Sequence, residues 1–142
     1  MIGGNLLGQG GFGCVFHPAI LCKKNKKKPE EYVTKIQRKN ASAINEYEIS
    51  KKIKKINYYD NYFAPIESQC NVDVKSLTIN PDDFNQCNIF KKESDNKFMS
   101  MQIKKIHGVD MTDYMRDFHK RTFFLKNITN SYGHLLIAIK NL

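Results

Sequence analysis

The chain has 142 residues, of which 41% are hydrophobic, 26% charged and 11% aromatic, and its formal net charge is +9. This length and composition predict one soluble globular domain with a buried core, and they argue against a disordered or a membrane-embedded chain. The positive charge comes almost wholly from lysine and is compatible with an anionic partner. The joint excess of Lys, Ile and Asn also fits an AT-rich coding bias.

The four cysteines, Cys14, Cys22, Cys70 and Cys87, lack the close spacing that a zinc site requires. The N-terminus has no signal-peptide pattern, and no apolar run reaches the length of a membrane span. We therefore expect an intracellular, cytoplasmic protein with four free thiols, no bound metal and no membrane partner. A bond between Cys70 and Cys87 is the alternative, and reduced thiols are preferred.

A glycine-rich stretch, LLGQGGFGCVF at residues 6–16, lies between two short predicted strands at 5–9 and 12–17. Because glycine tolerates the positive φ angles of tight turns, these strands are predicted to form a hairpin. A third strand follows at EYVTKIQ, whose period-two alternation places Lys35 on the same face as Val33.

Residues 41–56 predict a helix with Ser42 as its N-cap and with Ile49, Ile53 and Ile56 on one apolar stripe. Glu46 falls on that stripe, whereas Glu48 points away from it. Burial of an unpaired carboxylate or ammonium is costly, so Glu46 is predicted to pair with Lys35 of the third strand. The alternative is that both side chains are solvated.

The fourth strand is predicted within NYFAPIES, and the polar residues 68–97 that follow are interpreted as a long insertion. The segment KFMSMQI then predicts a fifth strand, because Met99, Met101 and Ile103 alternate onto one face.

The fifth strand is expected to end in a linker, KKIHGVD, that is broken at Gly108. Helices are predicted at about residues 110–120 and 128–142. These elements together predict an α+β fold.

The glycine pattern G-x-G-x-x-G, at Gly8, Gly10 and Gly13, occurs in several kinds of phosphate-binding loop. A Walker loop requires Lys-Ser or Lys-Thr after the last glycine, whereas Cys14 and Val15 follow here. A Rossmann loop opens a helix after the last glycine, whereas here a strand follows. The order of elements therefore predicts a strand-turn-strand loop, in which a glycine flap covers the phosphates.

The glycine loop with Val15, the segment YVTK at 32–35 and the segment NEYEISKKI resemble the small lobe of eukaryotic-type protein kinases. The resemblance implies a five-stranded antiparallel sheet with one regulatory helix in residues 1–106. It also implies that residues 107–142 form the linker and the first helices of an incomplete helical large lobe. The insertion at 68–97 looks like the elaborations of divergent kinases of large DNA viruses, for which the location would be the host cytoplasm.

The same resemblance implies ATP as the ligand, with Lys35 holding the α and β phosphates and Glu46 orienting Lys35 as the two catalytic residues. Val33 would line the adenine pocket, and Ile103 would be the gatekeeper. Backbone groups of Lys104 and Ile106 would face the adenine edge, and Asp110 would approach the ribose. The full nucleotide-binding set implied is Gly8, Gln9, Gly10, Gly11, Phe12, Gly13, Val15, Val33, Lys35, Ile103, Lys104, Ile106 and Asp110.

The His-Arg-Asp and Asp-Phe-Gly motifs of such kinases do not occur in the sequence. We therefore expect the ATP-binding part of a Ser/Thr-type protein kinase, truncated before its catalytic loop. The whole enzyme would transfer phosphate from ATP to a protein substrate, and Mg²⁺ would bind only with the missing large lobe. Residues 1–142 alone are expected to be inactive.

Two alternatives remain open. One is a non-catalytic kinase-like module that binds or regulates a partner through the helix at 41–56. The other is a basic nucleic-acid-binding protein. The net positive charge favours this alternative, and so do four aromatic residues: Tyr58, Tyr59, Tyr62 and Phe63. We rank the second alternative last, because these aromatics also fit a turn between helix and strand.

Overall fold

The computed structural model describes residues 4–20, 22, 28–73, 76–77, 79–91 and 97–108 and the single positions 136 and 140, and these residues form five β-strands and two α-helices. The strands are β1 (Asn5–Gln9), β2 (Gly13–His17), β3 (Tyr32–Arg38), β4 (Ile66–Val72) and β5 (Phe98–Lys104). The helices are α1 (Ala41–Ile53) and α2 (Pro81–Gln86).

The strands form one antiparallel sheet in the order β1-β2-β3-β5-β4. The predicted α+β class and five-stranded antiparallel sheet are therefore confirmed. The fourth strand, predicted within residues 61–68, begins only at Ile66, because the first part of that segment follows a 3-10 turn that ends at Asn61. β4 also runs on to Val72, into the stretch interpreted as an insertion.

The chain divides into two compact units, residues 1–51 with 64–105 and residues 52–63 with 106–142. The whole sheet belongs to the first unit. In the second unit, Tyr58 has a positive φ of 59° and precedes the 3-10 turn, with most of its side chain exposed. The helices predicted at 110–120 and 128–142 fall outside the described residues, apart from the helical positions 136 and 140.

One side of the sheet, which we call the helix face, is covered by α1. Strand alternation and pairing place Lys35, Met101 and Ile103 on this side. Its core is a cluster of Ala43 from α1 with Ile66, Met99 and Met101, against which Tyr47 and Ile103 are packed. The predicted common face of Met99, Met101 and Ile103 is confirmed.

The apolar stripe predicted for α1 is wrong in register. Ile49 is 41% exposed, and the two fully buried residues of α1 are Ala43 and Ser50. These small side chains allow the helix to lie close to the sheet. The Ser50 hydroxyl also donates to the Glu46 carbonyl at 3.0 Å and accepts from the Ile66 amide at 3.1 Å, which ties α1 to β4.

The N-cap of α1 is Asn40 and not the predicted Ser42. The Asn40 side-chain oxygen accepts a hydrogen bond from the Ala43 amide at 2.9 Å, which is the usual geometry of a capping residue. Ser42 therefore lies inside the first turn of the helix. The first turn has no acidic residue, so its free amide groups are not already neutralised by a carboxylate.

The opposite side of the sheet, which we call the far face, is covered by residues 79–91. Phe16 and Ile36 of the sheet pack there in one cluster with Cys87, Ile89 and Phe90. The Phe90 ring stacks on Phe84 at 4.7 Å between centroids and meets the edge of Phe98 at 5.5 Å. The sheet is thus covered on both faces, which explains why five consecutive residues of β5 are buried.

All four cysteines are paired, so the prediction of free thiols is wrong. Cys14 is bonded to Cys87 and Cys22 to Cys70, with Cα atoms 6.1 Å apart in each pair. The bonds join residues 73 and 48 positions apart, contacts that the local spacing of cysteines does not reveal. Because disulfides are rare in reducing compartments, thiol content no longer supports the predicted intracellular location.

Membrane insertion was excluded from the sequence by the absence of a long apolar run. In the part of the chain that the structure describes, each helix falls short of the length and apolar character that crossing a bilayer requires.

Candidate functional site

The glycine-rich stretch forms the predicted hairpin between β1 and β2. Its tip is closed by a hydrogen bond in which the Gly10 amide donates to the Gly13 carbonyl at 2.9 Å. The pairing shifts by one residue between Leu6 and Gly8, so β1 carries an irregularity next to the tip. The expected reason for the glycines is wrong, since no glycine in the described residues has a positive φ.

The glycines instead differ in the space around them. A Cβ atom on Gly13 would lie 2.5 Å from the Ile36 carbonyl oxygen and 3.0 Å from the Gln37 Cβ, so β2 approaches β3 closely only because this residue is glycine. Gly8, Gly10 and Gly11 have nothing within 4 Å of the corresponding position. Their missing side chains leave the backbone of the hairpin tip open to a ligand.

Lys35 and Glu46 meet between the sheet and α1, which confirms the predicted pairing. The Lys35 ammonium donates to both carboxylate oxygens of Glu46, at 2.7 and 2.8 Å. The Lys35 side chain is 23% exposed and that of Glu46 39% exposed. Glu48 points away from the sheet, as predicted, and bonds Lys51 on the solvent side of the helix.

Gln37 is a third member of this group. It lies two residues after Lys35 on the same face of β3, and its amide nitrogen donates to Glu46 at 3.1 Å and to the Met101 sulfur at 3.7 Å. Glu46 therefore accepts three hydrogen bonds from β3. This arrangement holds the carboxylate in place on a half-buried surface and fixes the position of the Lys35 ammonium.

A cleft of about 720 Å³ runs beneath the hairpin tip, within the first unit. Residues from the hairpin, β3, the start of α1 and the far-face segment line it: Gln9, Gly10, Gly11, Phe12, Lys35, Gln37, Arg38, Asn40, Ser42, Glu46, Asn88 and Ile89. Two cationic side chains and one carboxylate thus face the cleft, and the carboxylate is already bound to one of the cations. Such a surface favours an anionic ligand.

Arg38 is the second cation that lines the cleft. Its Nε atom is buried and has no hydrogen-bond partner among the described residues. A buried guanidinium nitrogen without a partner is unfavourable, so Arg38 is a polar group whose hydrogen bonding the described residues leave incomplete. The first turn of α1, with Asn40 and Ser42, borders the same space and presents the positive end of the helix dipole.

The structure brings some of the predicted site residues together and leaves others apart. Those that line the cleft are Gln9, Gly10, Gly11, Phe12, Lys35 and Glu46. Gly8 and Gly13 lie in the two strands of the hairpin.

The residues predicted to surround adenine lie outside the lining of the cleft. Val15 and Val33 neighbour Lys35 on the helix face, and Val33 pairs with Ile103 across β3 and β5. Lys104 is exposed at the end of β5, and Ile106 is 70% exposed in the second unit. Asp110 lies outside the described residues.

Sequence reasoning missed half of the cleft. Gln37 could have been identified as a cleft residue from the sequence, because strand alternation places it on the same face of β3 as Lys35. Arg38, Asn40 and Ser42 sit at the junction of β3 and α1, where the sequence shows only a chain reversal. Asn88 and Ile89 carried no signal at all, since their place in the cleft depends on how the far-face segment folds back onto the sheet.

Comparison of the chain with known proteins gives no relative from which to transfer a function: no protein-family model, curated protein or solved structure matches it. The site must therefore be judged on its own geometry.

Proposed function

We propose that the chain binds ATP, with its phosphates in the cleft beneath the glycine hairpin, as the nucleotide-binding half of a Ser/Thr-type protein kinase. The observation that carries this proposal is the position of Lys35. Its ammonium is held by Glu46 at 2.7 and 2.8 Å in the same cleft that the glycine tip covers.

The geometry of Lys35 suits a phosphate anchor. An ammonium group has three donors, and two of them are directed to Glu46. The remaining donor is free to bind a phosphate oxygen, while the carboxylate prevents the long side chain from sampling other rotamers. Without Glu46, that side chain would lose more conformational entropy on binding the ligand.

The hairpin tip supplies a second kind of contact. Gly10 and Gly11 have open space where a side chain would be, so a phosphate can approach their backbone closely. The Gly10 amide already donates to the Gly13 carbonyl, so a phosphate would be bound by the other backbone amides of the turn. Arg38 adds a planar set of donors, which matches phosphate oxygens better than a further ammonium would.

A base-binding surface is available beside the phosphate cleft. Val15, Val33 and Ile103 form an apolar patch on the helix face next to Lys35, and all three are partly exposed. Apolar walls with a few polar groups at one end are typical of nucleotide sites. The proposal therefore places adenine on this patch and the phosphates beyond Lys35.

When bound, ATP would supply the phosphoryl group that kinases transfer. The sequence contains no Asp-Phe-Gly or His-Arg-Asp motif, the elements that hold the metal ions and orient the acceptor. We therefore assign to these residues the binding and positioning of the nucleotide. Transfer to a protein substrate is proposed for the kinase that such a half would complete.

The test is direct binding of ATP, ADP and adenosine to the wild type, Lys35→Met and Arg38→Met, by calorimetry. Loss of a charge-assisted hydrogen bond should weaken ATP binding by about 10- to 100-fold in each variant. Adenosine, which has no phosphate, should bind all three proteins equally well. Lys39→Met is the matched control, because it removes the same charge from the exposed residue next to Arg38.

Two results would contradict the proposal. Equal ATP affinity of wild type and Lys35→Met would remove Lys35 from the phosphate site. An equal loss of adenosine and ATP affinity would mean that the substitution damages the fold of the cleft and not a phosphate contact.

A further inference from the structure

The wall of the cleft opposite α1 belongs to the segment that covers the far face. Residues 81–91, which we call the clamp segment, comprise α2 and the turn after it. Asn88 and Ile89 of this segment line the cleft, and the Asn88 amide donates to the Gln9 side-chain oxygen at 3.2 Å. A stretch that the sequence marked only as an insertion therefore contacts the glycine hairpin.

A covalent bond holds the clamp segment at this place. Cys87, the residue before Asn88, is bonded to Cys14 of β2, which directly follows Gly13 and pairs with Gln9 across the hairpin. The bond and the Asn88 contact thus attach the clamp segment to both strands of the hairpin, close to its tip. The second disulfide, Cys22 with Cys70, involves no residue that lines the cleft.

We propose that the clamp segment positions the glycine hairpin over the cleft, and that the thiol–disulfide state of Cys14 and Cys87 sets the affinity of the cleft for its phosphate ligand. The inference rests on the proposed function. With the bond intact, the hairpin and the wall formed by Asn88 and Ile89 are held in place before the ligand arrives. With the bond broken, part of the binding free energy must be spent on ordering them.

The chemistry of the change is thiol–disulfide exchange with a small dithiol. One thiolate of the dithiol attacks a sulfur of the Cys14–Cys87 bond and forms a mixed disulfide, and its second thiolate then closes a cyclic disulfide. The reagent is oxidised by two electrons, and Cys14 and Cys87 each gain one hydrogen. Both residues are fully buried, whereas Cys22 and Cys70 are partly exposed, so the Cys22–Cys70 bond should be reduced first.

The first experiment compares nucleotide affinity in two double variants, Cys14→Ser with Cys87→Ser and Cys22→Ser with Cys70→Ser. Removal of the clamp bond should weaken ATP binding by about fivefold to tenfold, the cost of ordering one or two groups at the site. Removal of the other bond should leave the affinity within twofold (about 0.4 kcal/mol) of the wild type. Equal effects of the two pairs, or no effect of the clamp pair, would overturn the proposal.

The second experiment needs no substitution, so it tests whether the clamp segment restrains the hairpin even if a double variant fails to fold. The wild type is reduced stepwise with dithiothreitol, the remaining bonds are mapped by mass spectrometry, and hydrogen exchange of the Gly10–Gly13 amides is followed without nucleotide. Exchange at the hairpin should accelerate when the Cys14–Cys87 bond is lost and not when only the Cys22–Cys70 bond is lost. Unchanged exchange after loss of the Cys14–Cys87 bond would refute the clamp.

This exchange measurement separates the two proposals. If the oxidised wild type fails to bind any nucleotide, the proposed function is wrong, while the exchange rates still show whether the segment restrains the hairpin. If the oxidised wild type binds ATP but reduction changes neither affinity nor exchange, the proposed function stands and the clamp is refuted.

Discussion

The two faces of the sheet are built from different chemistry. The helix face carries the Lys35–Glu46 pair, Gln37 and two methionines, so charged and polar groups lie among flexible apolar side chains. The far face carries a cluster of aliphatic and aromatic side chains together with the Cys14–Cys87 bond. The helix face thus holds the charged pair of the cleft, and the far face is a close-packed core whose covering segment adds Asn88 and Ile89 to the cleft wall.

This difference shows how a chain of modest size can stay folded although its Lys35–Glu46 site costs desolvation free energy. A lysine and a glutamate held between sheet and helix lose part of their hydration, and the ion pair itself contributes little net stability. The far face offsets this cost, because it buries aromatic side chains in a continuous cluster. The segment that resembles an accessory insertion is therefore part of what makes the charged face stable.

The largest effect that we expect from one substitution is on the far face. Phe90→Ala removes the ring that contacts Phe84 and Phe98, and a buried Phe→Ala change costs about 3–5 kcal/mol of the free energy of unfolding. Chemical denaturation followed by circular dichroism measures it. Phe12→Ala is the control, since that side chain is 78% exposed and its removal should cost less than about 0.5 kcal/mol.

A small loss in Phe90→Ala, similar to that in Phe12→Ala, would contradict the comparison of the two faces. It would mean that residues 81–91 lie against the sheet without contributing to its core.

The next effect concerns the hairpin, where the two faces meet at the cleft. Gly13→Ala places a methyl group 2.5 Å from the Ile36 carbonyl oxygen, so β2 and β3 must separate. We expect a loss of about 1–3 kcal/mol, as for other overpacked positions. Gly11→Ala is matched to it in chemistry but meets no atom within 4 Å, so it should leave the stability nearly unchanged. Thermal unfolding of both variants compares them directly, and a larger loss in Gly11→Ala would reverse the interpretation.

The helix face could be predicted from sequence because its determinants are local. The alternation of β3 and β5 gave the face of Lys35 and of Met99, and the order of hairpin, strand and helix indicated Glu46. The isoleucine stripe on which the prediction of Glu46 also depended is not the face that α1 buries. Ile49 is 41% exposed, and the residues of α1 that are buried are Ala43 and Ser50. Small buried residues give a weak periodic signal, which explains the error.

The far face could not be predicted because its contacts are distant along the chain. Cys14 and Cys87 are 73 residues apart, and no spacing rule selects this pair over the alternatives. The same holds for Asn88 and Ile89, which reach the cleft only through the packing of Phe90 and the disulfide. Residues 68–97 are mostly polar, so their composition did not predict that several apolar residues of this segment are buried against the sheet.

The smallest loss of stability that we predict distinguishes the roles of the two glutamates of α1, Glu46 and Glu48. Glu46→Gln leaves the Lys35 ammonium beside a neutral amide on a half-buried surface, and we expect a loss of about 1 kcal/mol. It should also weaken ATP binding, because the Lys35 side chain is no longer held by a charge. Denaturation and calorimetry on the same sample measure both effects.

Glu48→Gln is the matched control on the same helix, because Glu48 bonds Lys51 at the same 2.7 Å but on the exposed side. The hydrogen bond to Glu48 raises the pKa of Lys51, so whatever stability it gives is present below the ordinary lysine pKa and is lost as the pH rises through the raised value. In Glu48→Gln, NMR titration should therefore find the pKa of Lys51 lowered, while ATP affinity stays at the wild-type value and stability at neutral pH falls less than in Glu46→Gln, because the lost pair is exposed. If Glu48→Gln impaired ATP binding as much as Glu46→Gln does, net charge of the helix and not the held lysine would explain both results.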